Sequence, residues 1–184
     1  MRVSEEARFW GSRAHHEGWS QDAWLRSAML VRILDRFQVH QSAVITEVGC
    51  GNLRNLWALS NSGYSHLSGI DITDEMQVPR IPNHPWNIVI SEDLSQMPPC
   101  DVCITMASLQ HIADIQTAID SIKSQTSQLI ILCECTSVSL QRFQFVHNYP
   151  DLIKWPSVLS LPAAASDGLG RDYSWQAYYR STDE

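Results

Sequence analysis

Two glycines one residue apart, Gly49 and Gly51, follow an acid, Glu47, and the β-branched run Val44-Ile45-Thr46. Glycine turns the chain sharply and lets backbone approach a ligand with no Cβ between them. A strand, such a turn and a helix start make a place where α/β proteins hold nucleotide-like ligands. Two more acids stand where strands should end. Asp71 closes Gly69-Ile70-Asp71-Ile72, and Asp93 follows Ser91-Glu92 and precedes Leu94. An acid about 20 residues beyond such a glycine turn pairs with ribose hydroxyls. One at the end of the next strand can accept a hydrogen bond from an adenine amine. With no Lys or Arg beside them, the two acids suit a ligand that carries ribose, adenine and a positive charge, and make a poor site for a pyrophosphate.

The glycine spacing excludes two commoner ligands. The dinucleotide fingerprint G-x-G-x-x-G needs a third glycine for close helix–strand packing, and Arg54 stands in that place. No G-x-x-x-x-G-K-[ST] phosphate loop occurs either.

The elements that must carry these groups alternate. A helix is expected from Gln21 to about Phe37, with Leu30, Ile33, Leu34 and Phe37 at helical spacing. Strands are expected from Ala43 to Val48, His66 to Ile72, Trp86 to Ile90, Asp101 to Met106 and Leu129 to Cys133. Helices from Leu53 to Ser60, burying Leu56, Trp57 and Leu59, and from about Ala113 to Ser124 lie between them. Pro79, Pro82 and Pro85 prevent a long helix before the third strand. Alternation of this kind predicts a mostly parallel sheet covered by helices on both faces. The tail reads as a helix from Ser139 to Ile153, a strand from Ser157 to Leu161, a small-residue loop at 163–170, and a strand from Tyr173 to Arg180. The two last strands are expected to form an antiparallel pair at a sheet edge. The whole reads as one domain over 1–184: an N-terminal segment over 1–40, a ligand-binding core over 43–135, and an acceptor-side helix and edge strands over 136–184. The aromatic and His residues near the start, Phe9, Trp10, His15, His16 and Trp19, either dock a helix on the core or close over the ligand.

A formal net charge of -7 with scattered Arg80, Lys123 and Arg142 argues against sequence-independent nucleic-acid binding. Charged Met1 to Glu6 with no apolar stretch behind it does not read as a secretory signal, and no apolar run approaches a membrane span. Five cysteines lying mostly in strands read as reduced thiols in a cytoplasmic protein, and Cys133-x-Cys135 is a poor zinc motif, so no metal is expected.

Four stretches in order resemble the class I S-adenosylmethionine-dependent methyltransferases. Glu47-Val48-Gly49-Cys50-Gly51-Asn52-Leu53 is similar to their E/D-x-G-x-G-x-G motif, with Leu53 in place of the third glycine. Gly69-Ile70-Asp71-Ile72 resembles the acidic motif of their second strand. Glu92-Asp93-Leu94 with Pro98 resembles the acid-to-proline spacing after the third, and Asp101 through His111-Ile112 resembles the fourth-strand signature. The resemblance covers about residues 43 to 135. It implies a Rossmann-like α/β fold, a seven-stranded sheet of order 3-2-1-4-5-7-6 with its seventh strand antiparallel, and S-adenosyl-L-methionine as cofactor. It places the methionine part of that cofactor near Glu47, Gly49 and Gly51, with Cys50 and Asn52 in the same turn. Asp71 with Ile72 would take the ribose, Asp93 with Leu94 the adenine, and Met106 would lie beside the sulfonium.

The reaction so implied is in-line displacement of the methyl group by an O or N nucleophile, and such an acceptor calls for a base when it carries a proton. His111, after the fourth strand, is the first candidate and Glu134, after the fifth, the second. His147 and Tyr149 fall where the family builds acceptor pockets, and Trp19 joins them if the N-terminal segment closes over the site. Little of the chain lies outside the cofactor fold, so a small-molecule acceptor is expected, with no nucleic acid, no membrane, and a monomer or homodimer. Two alternatives share the cofactor site: a protein or partner subunit that binds S-adenosylmethionine or S-adenosylhomocysteine without methyl transfer, and another S-adenosylmethionine enzyme such as an aminopropyl transferase or lyase.

Overall fold

The computed structural model describes residues 5, 8, 9, 21–74, 84–135, 147–162 and 173–180. Helix α1 (Gln21–Arg36) is amphipathic, and Ala23, Ser27, Leu30, Ile33 and Leu34 fall on its buried side. Strand β1 (Val44–Val48) leads through the glycine turn into α2 (Arg54–Asn61), and β2 (His66–Asp71) follows. Next come β3 (Asn87–Ile90), a 3₁₀ turn at Leu94–Gln96, β4 (Cys100–Met106) and a second 3₁₀ turn at Leu109–His111. Helix α3 (Ile115–Gln125), β5 (Thr126–Cys135), the short α4 (Tyr149–Ile153), β6 (Ser157–Pro162) and β7 (Tyr173–Tyr179) complete the described chain.

The seven strands form one sheet in the order β3-β2-β1-β4-β5-β7-β6. All neighbours run parallel except β7, which is antiparallel to both β5 and β6. The expected order, the parallel core and the antiparallel pair are thus all present.

Both faces are buried, so the central strands read as near-continuous apolar runs. Along β5, Leu129, Ile131 and Cys133 join the cluster under α1 and α2, while Ile130 and Leu132 join the cluster under α3 and α4. That alternation follows the two-residue period of a strand. Double pairing, to β4 on one side and β7 on the other, also extends β5 beyond the expected Leu129 to Cys133 and draws Glu134 into the sheet opposite Ser174.

One expected core position is corrected. Trp57 is 42% exposed, because α2 turns Arg54, Asn55, Leu56 and Leu59 inward. Trp57 instead meets Trp24 of α1 edge-on, with ring centroids 5.2 Å apart. The expected helix from Ser139 to Ile153 is corrected: His147 and Asn148 are not helical, and α4 begins at Tyr149 behind the cap Asn148, with Pro150 in its first turn, where a missing N–H costs nothing. Residues 139–146 lie outside the described residues. So do Trp10, His15, His16, Trp19 and the loop at 163–170. Among the described residues no helix is long and apolar enough to cross a membrane.

Candidate functional site

The C-terminal ends of β1, β2, β4 and β5 carry almost every unusual group. Three residues of the turn after β1 have positive φ: Gly49 at +69°, Gly51 at +45° and Leu53 at +64°. A Cβ on Gly49 would lie 2.3 Å from Ser108 Cβ, so glycine is required there for space as well as for conformation. Leu53 explains how the chain does without the third glycine. It adopts the left-handed conformation itself, at about 1–2 kcal/mol. Its side chain is wholly buried among Leu30, Leu56 and Leu59, which offsets that cost by about 1.5–3 kcal/mol.

Asp71 clasps this turn. Gly51 N–H donates to Asp71 Oδ2 at 2.7 Å and Thr73 N–H to Oδ1 at 3.3 Å. Burial raises its carboxyl above the usual range, opposed by the backbone N–H groups of Gly51, Thr73 and Ile72. Cys50 points away from the turn: its Sγ fills the space that a Cβ on Gly69 would need, at 2.7 Å. It offers a ligand its backbone only. Asn52 Oδ1 accepts from Arg54 N–H at 3.3 Å, an Asx turn at the helix start.

Behind the turn lies a buried polar network. Asn55 Nδ2 donates to Glu47 Oε1 at 2.6 Å, and Asn55 Oδ1 accepts from Ser27 Oγ at 2.6 Å. Arg54 Nε donates to Ser27 Oγ at 2.8 Å, and Arg54 Nη2 reaches Met106 Sδ at 3.3 Å. The side chain of Met106 is therefore engaged inside, and only its backbone borders the strand end. Glu47 is 2% exposed, and its Oε2 has no hydrogen-bond partner among the described residues. Burial pushes its carboxyl up to about 8, with Asn55 and Arg54 pulling the other way. The Arg54 guanidinium is lowered to about 10, also by burial first, and it feels the charges of both Glu47 and Arg26.

Arg26 of α1 is the counterpart. Its Nε and Nη1 are buried without a hydrogen-bond partner among the described residues, and its guanidinium lies 5.4 Å from the centre of the Tyr173 ring. Tyr173 pairs with Cys135, so this cation also stands at the C-terminal end of β5. An unspent buried polar atom is costly. Here there are two such groups, a carboxyl and a guanidinium, that do not satisfy each other. A ligand bearing both an ammonium and a carboxylate, the end of an α-amino acid, would satisfy both.

On the other side of the glycine turn, the chain after β4 bends through Ala107 at φ +56°, whose N–H donates to Cys133 O at 2.9 Å. His111 is half-buried at the end of the 3₁₀ turn, its Nε2 3.1 Å from Gln110 Nε2. Glu134 is 1% exposed. Its Oε1 accepts from Thr105 Oγ1 at 2.7 Å and from Ser108 N–H at 3.2 Å, and its Oε2 from Gln110 N–H at 3.4 Å. Burial carries its carboxyl up to about 7. So enclosed, Glu134 does not meet an acceptor.

The pair expected to line the acceptor pocket is also turned inward. His147 hydrogen-bonds to the backbone at Ile112 and Leu109, and burial lowers its ring below the usual imidazole range. Tyr149 is 2% exposed in the cluster with Leu109 and Ile119. Asp93, by contrast, is exposed. It caps the first 3₁₀ turn, accepting from Ser95 N–H at 2.9 Å, and hydrogen bonds from the Ser95 hydroxyl first and its backbone N–H second hold the carboxyl below the usual range. Leu94 beside it packs on the second cluster.

The structure thus gathers Glu47, Gly49, Gly51, Asp71, Met106 and His111 at one rim. Arg26, Arg54, Asn55 and Ser108 belong with them and were not singled out from sequence. Arg54-Asn55 reads as an ordinary helix start, and Arg26 as one charge on an amphipathic helix. Only tertiary placement shows Arg54 and Asn55 buried and two nitrogens of the half-buried Arg26 enclosed. Among the described residues no group of three or more His, Cys, Asp or Glu is placed to hold a metal.

No protein-family model matches the sequence, and no curated protein does. Solved structures do match the fold. Magnesium protoporphyrin IX methyltransferase ChlM from Synechocystis PCC 6803, with bound SAH, superposes with a TM-score of 0.70 at 16% identity, over 96% of this chain and 95% of that one. The 1,6-didemethyltoxoflavin-N1-methyltransferase of Burkholderia thailandensis, with its didemethyltoxoflavin and S-adenosylhomocysteine, gives 0.73 at 16% identity, over 95% and 87%. The [4+2]-cyclase SpnF gives 0.67 at 12% identity, over 90% and 85%. This chain therefore has the Rossmann-like fold that these proteins share.

Proposed function

We propose that this protein is an S-adenosylmethionine-dependent methyltransferase that acts on a small-molecule O or N nucleophile. One observation carries the reading. At the C-terminal ends of the strands, Oε2 of the Glu47 carboxyl and Nε and Nη1 of Arg26 are buried without a hydrogen-bond partner among the described residues. They suit the ammonium and the carboxylate of the cofactor's methionine end, and such charge-assisted bonds are the stronger kind. Gly49 and Gly51 bring backbone close to that chain, Asp71 accepts from the ribose hydroxyls, and exposed Asp93 from the adenine amine. The backbone at Met106 and Ala107 borders the sulfonium.

When bound, S-adenosylmethionine supplies an electrophilic methyl group whose displacement in line releases neutral S-adenosylhomocysteine. This chain's part is chiefly to fix the geometry, since holding two reactants in line is worth several kcal/mol. His111, half-buried at the end of the 3₁₀ turn after β4, is the group that takes a proton from an O–H or N–H acceptor. With the chain's acidic balance, a small acceptor is favoured over nucleic acid.

A calorimetric titration with S-adenosylhomocysteine, followed by product assay on a panel of phenols, amines and carboxylic acids, tests the reading. Binding and turnover of at least one acceptor are expected. His111→Ala should lower that turnover about 100-fold or more, with cofactor affinity within about twofold. No binding at all overturns the proposal. Binding without turnover favours the second reading, a non-catalytic binder, which has one observation on its side: of the two candidate bases, Glu134 is enclosed.

A further inference from the structure

Glu134 is a buried carboxyl at the site rim with no place in the proposed reaction, yet three of its four hydrogen bonds come from one loop, and the fourth from Thr105 at the end of β4. After the left-handed bend at Ala107, the chain turns successive backbone N–H groups inward, and such a concavity binds anions. Here the anion is the chain's own. Ser108 and Gln110 N–H donate to the two oxygens of Glu134, Leu109 N–H adds a third backbone bond, and the Thr105 hydroxyl a fourth. The loop has two outputs. Ser108 Oγ donates to Val48 O at 3.0 Å, and its Cβ occupies the space beside Gly49. His111 N–H donates to Ser108 O at 3.0 Å, and Gln110 holds the imidazole from the side.

We propose that Glu134 is a positioning residue: one carboxyl fixes the loop from Ala107 to His111, and so sets both the seat of the glycine turn and the place of the His111 ring. The link to catalysis rests on the methyltransferase reading; the link to the loop does not. A carboxylate is suited to this because it only accepts hydrogen bonds. A glutamine of the same shape would turn an NH₂ group toward backbone N–H donors and leave some of them unpaired.

The test uses the full chain with ¹³C-labelled histidine. The His111 ring signal, assigned by its loss in His111→Gln, is read first without ligand. Glu134→Gln should shift or broaden it, while His40 and His66, near the far ends of the strands, keep their signals. Glu134→Asp, which retains the acceptor chemistry, should restore part of it. S-adenosylhomocysteine should bind Glu134→Gln about tenfold more weakly than the parent, because the glycine turn loses its seat. A sharp, unshifted His111 signal in folded Glu134→Gln overturns the proposal. If that variant does not fold, Thr105→Val removes one of the bonds and should shift His111 less, in the same direction; an unmoved signal there overturns it equally. Failure of the parent protein to bind S-adenosylhomocysteine overturns the cofactor reading alone, since the ring signal is read without it.

Discussion

At the N-terminal ends of the strands, Asp101 Oδ2 accepts from Val44 N–H at 2.9 Å and its Oδ1 from Ser127 Oγ at 3.0 Å. Thr126 Oγ1 donates to Ile122 O at 2.7 Å, and Arg180 Nη1 donates to Thr126 O at 3.1 Å. At the C-terminal ends, Glu47 and Arg26 keep buried atoms unspent, and Gly49, Gly51, Leu53 and Ala107 hold left-handed backbone. A cavity of about 330 Å³ near the first end is lined by Phe37, Val39, Asp101, Leu129 and Tyr179, but none of the unpartnered buried atoms among the described residues lies in it. The difference teaches where to look for function. One end spends its polar groups on closing the fold; the other retains charge and strain that folding alone does not use.

The comparison breaks most visibly at Gly49. Gly49→Ala puts a methyl group 2.3 Å from Ser108 Cβ and strains a φ of +69°. A loss of about 2–5 kcal/mol in stability is expected from the two effects together, with S-adenosylhomocysteine affinity lost as well. Urea unfolding and calorimetry would check both. Intact binding in this variant would mean that the turn does not face the ligand.

A middle-sized effect concerns protons. With its carboxyl pushed to about 8, Glu47 is mostly protonated at pH 7 in the free protein. Engaging an ammonium would ionise it, so binding should release a proton and tighten as pH rises from 6 to 8. Titrations in buffers of different ionisation heats would show the release, and Glu47→Gln should abolish it. The stability sign runs the other way. A carboxyl raised on folding favours the fold fully below about pH 4.5, its unfolded value, and that contribution is lost as pH rises through the folded value. Glu134, raised to about 7, has the same sign. The unliganded protein should therefore melt lower at pH 8 than at pH 6, and Glu47→Gln should flatten that slope.

The smallest effect sharpens the contrast from the far end. Asp101→Ala removes two hydrogen bonds in an exposed setting, so about 1–2 kcal/mol of stability should go. Cofactor affinity should not change. A clear loss of affinity would mean that the two ends are coupled through β4.

Much of this was legible from residues alone because local chemistry dictates it. β-branched runs, glycine turns and strand-end acids mark the strand ends wherever the strands later pair, so Gly49, Gly51, Asp71 and Asp93 mark where β1, β2 and β3 end. The alternation of strands and helices, with the resemblance, was enough for the sheet order. Burial was not legible. Glu134 looked like a strand-end acid because the antiparallel pairing that lengthens β5 is made with residues some 40 positions away in the chain. Trp57 sits between Leu56 and Leu59 in sequence, yet the rotation of α2 that exposes it depends on burying Arg54 and Asn55. Arg26 acquires meaning only when α1 is laid over the start of β7 at Tyr173.

The strand order also constrains how the molecule is made. β7 follows β6 in the chain but lies between β6 and β5. During synthesis, β6 therefore has nothing in the sheet to pair with until the later strand has left the ribosome, and Leu159, buried in the finished fold, waits unprotected. Once β7 enters, it closes two ladders at once, to β5 and to β6. Stalled or shortened chains that stop before Tyr173 should consequently be the ones that quality-control proteases and chaperones recognise, even though every residue of the glycine turn is already in place.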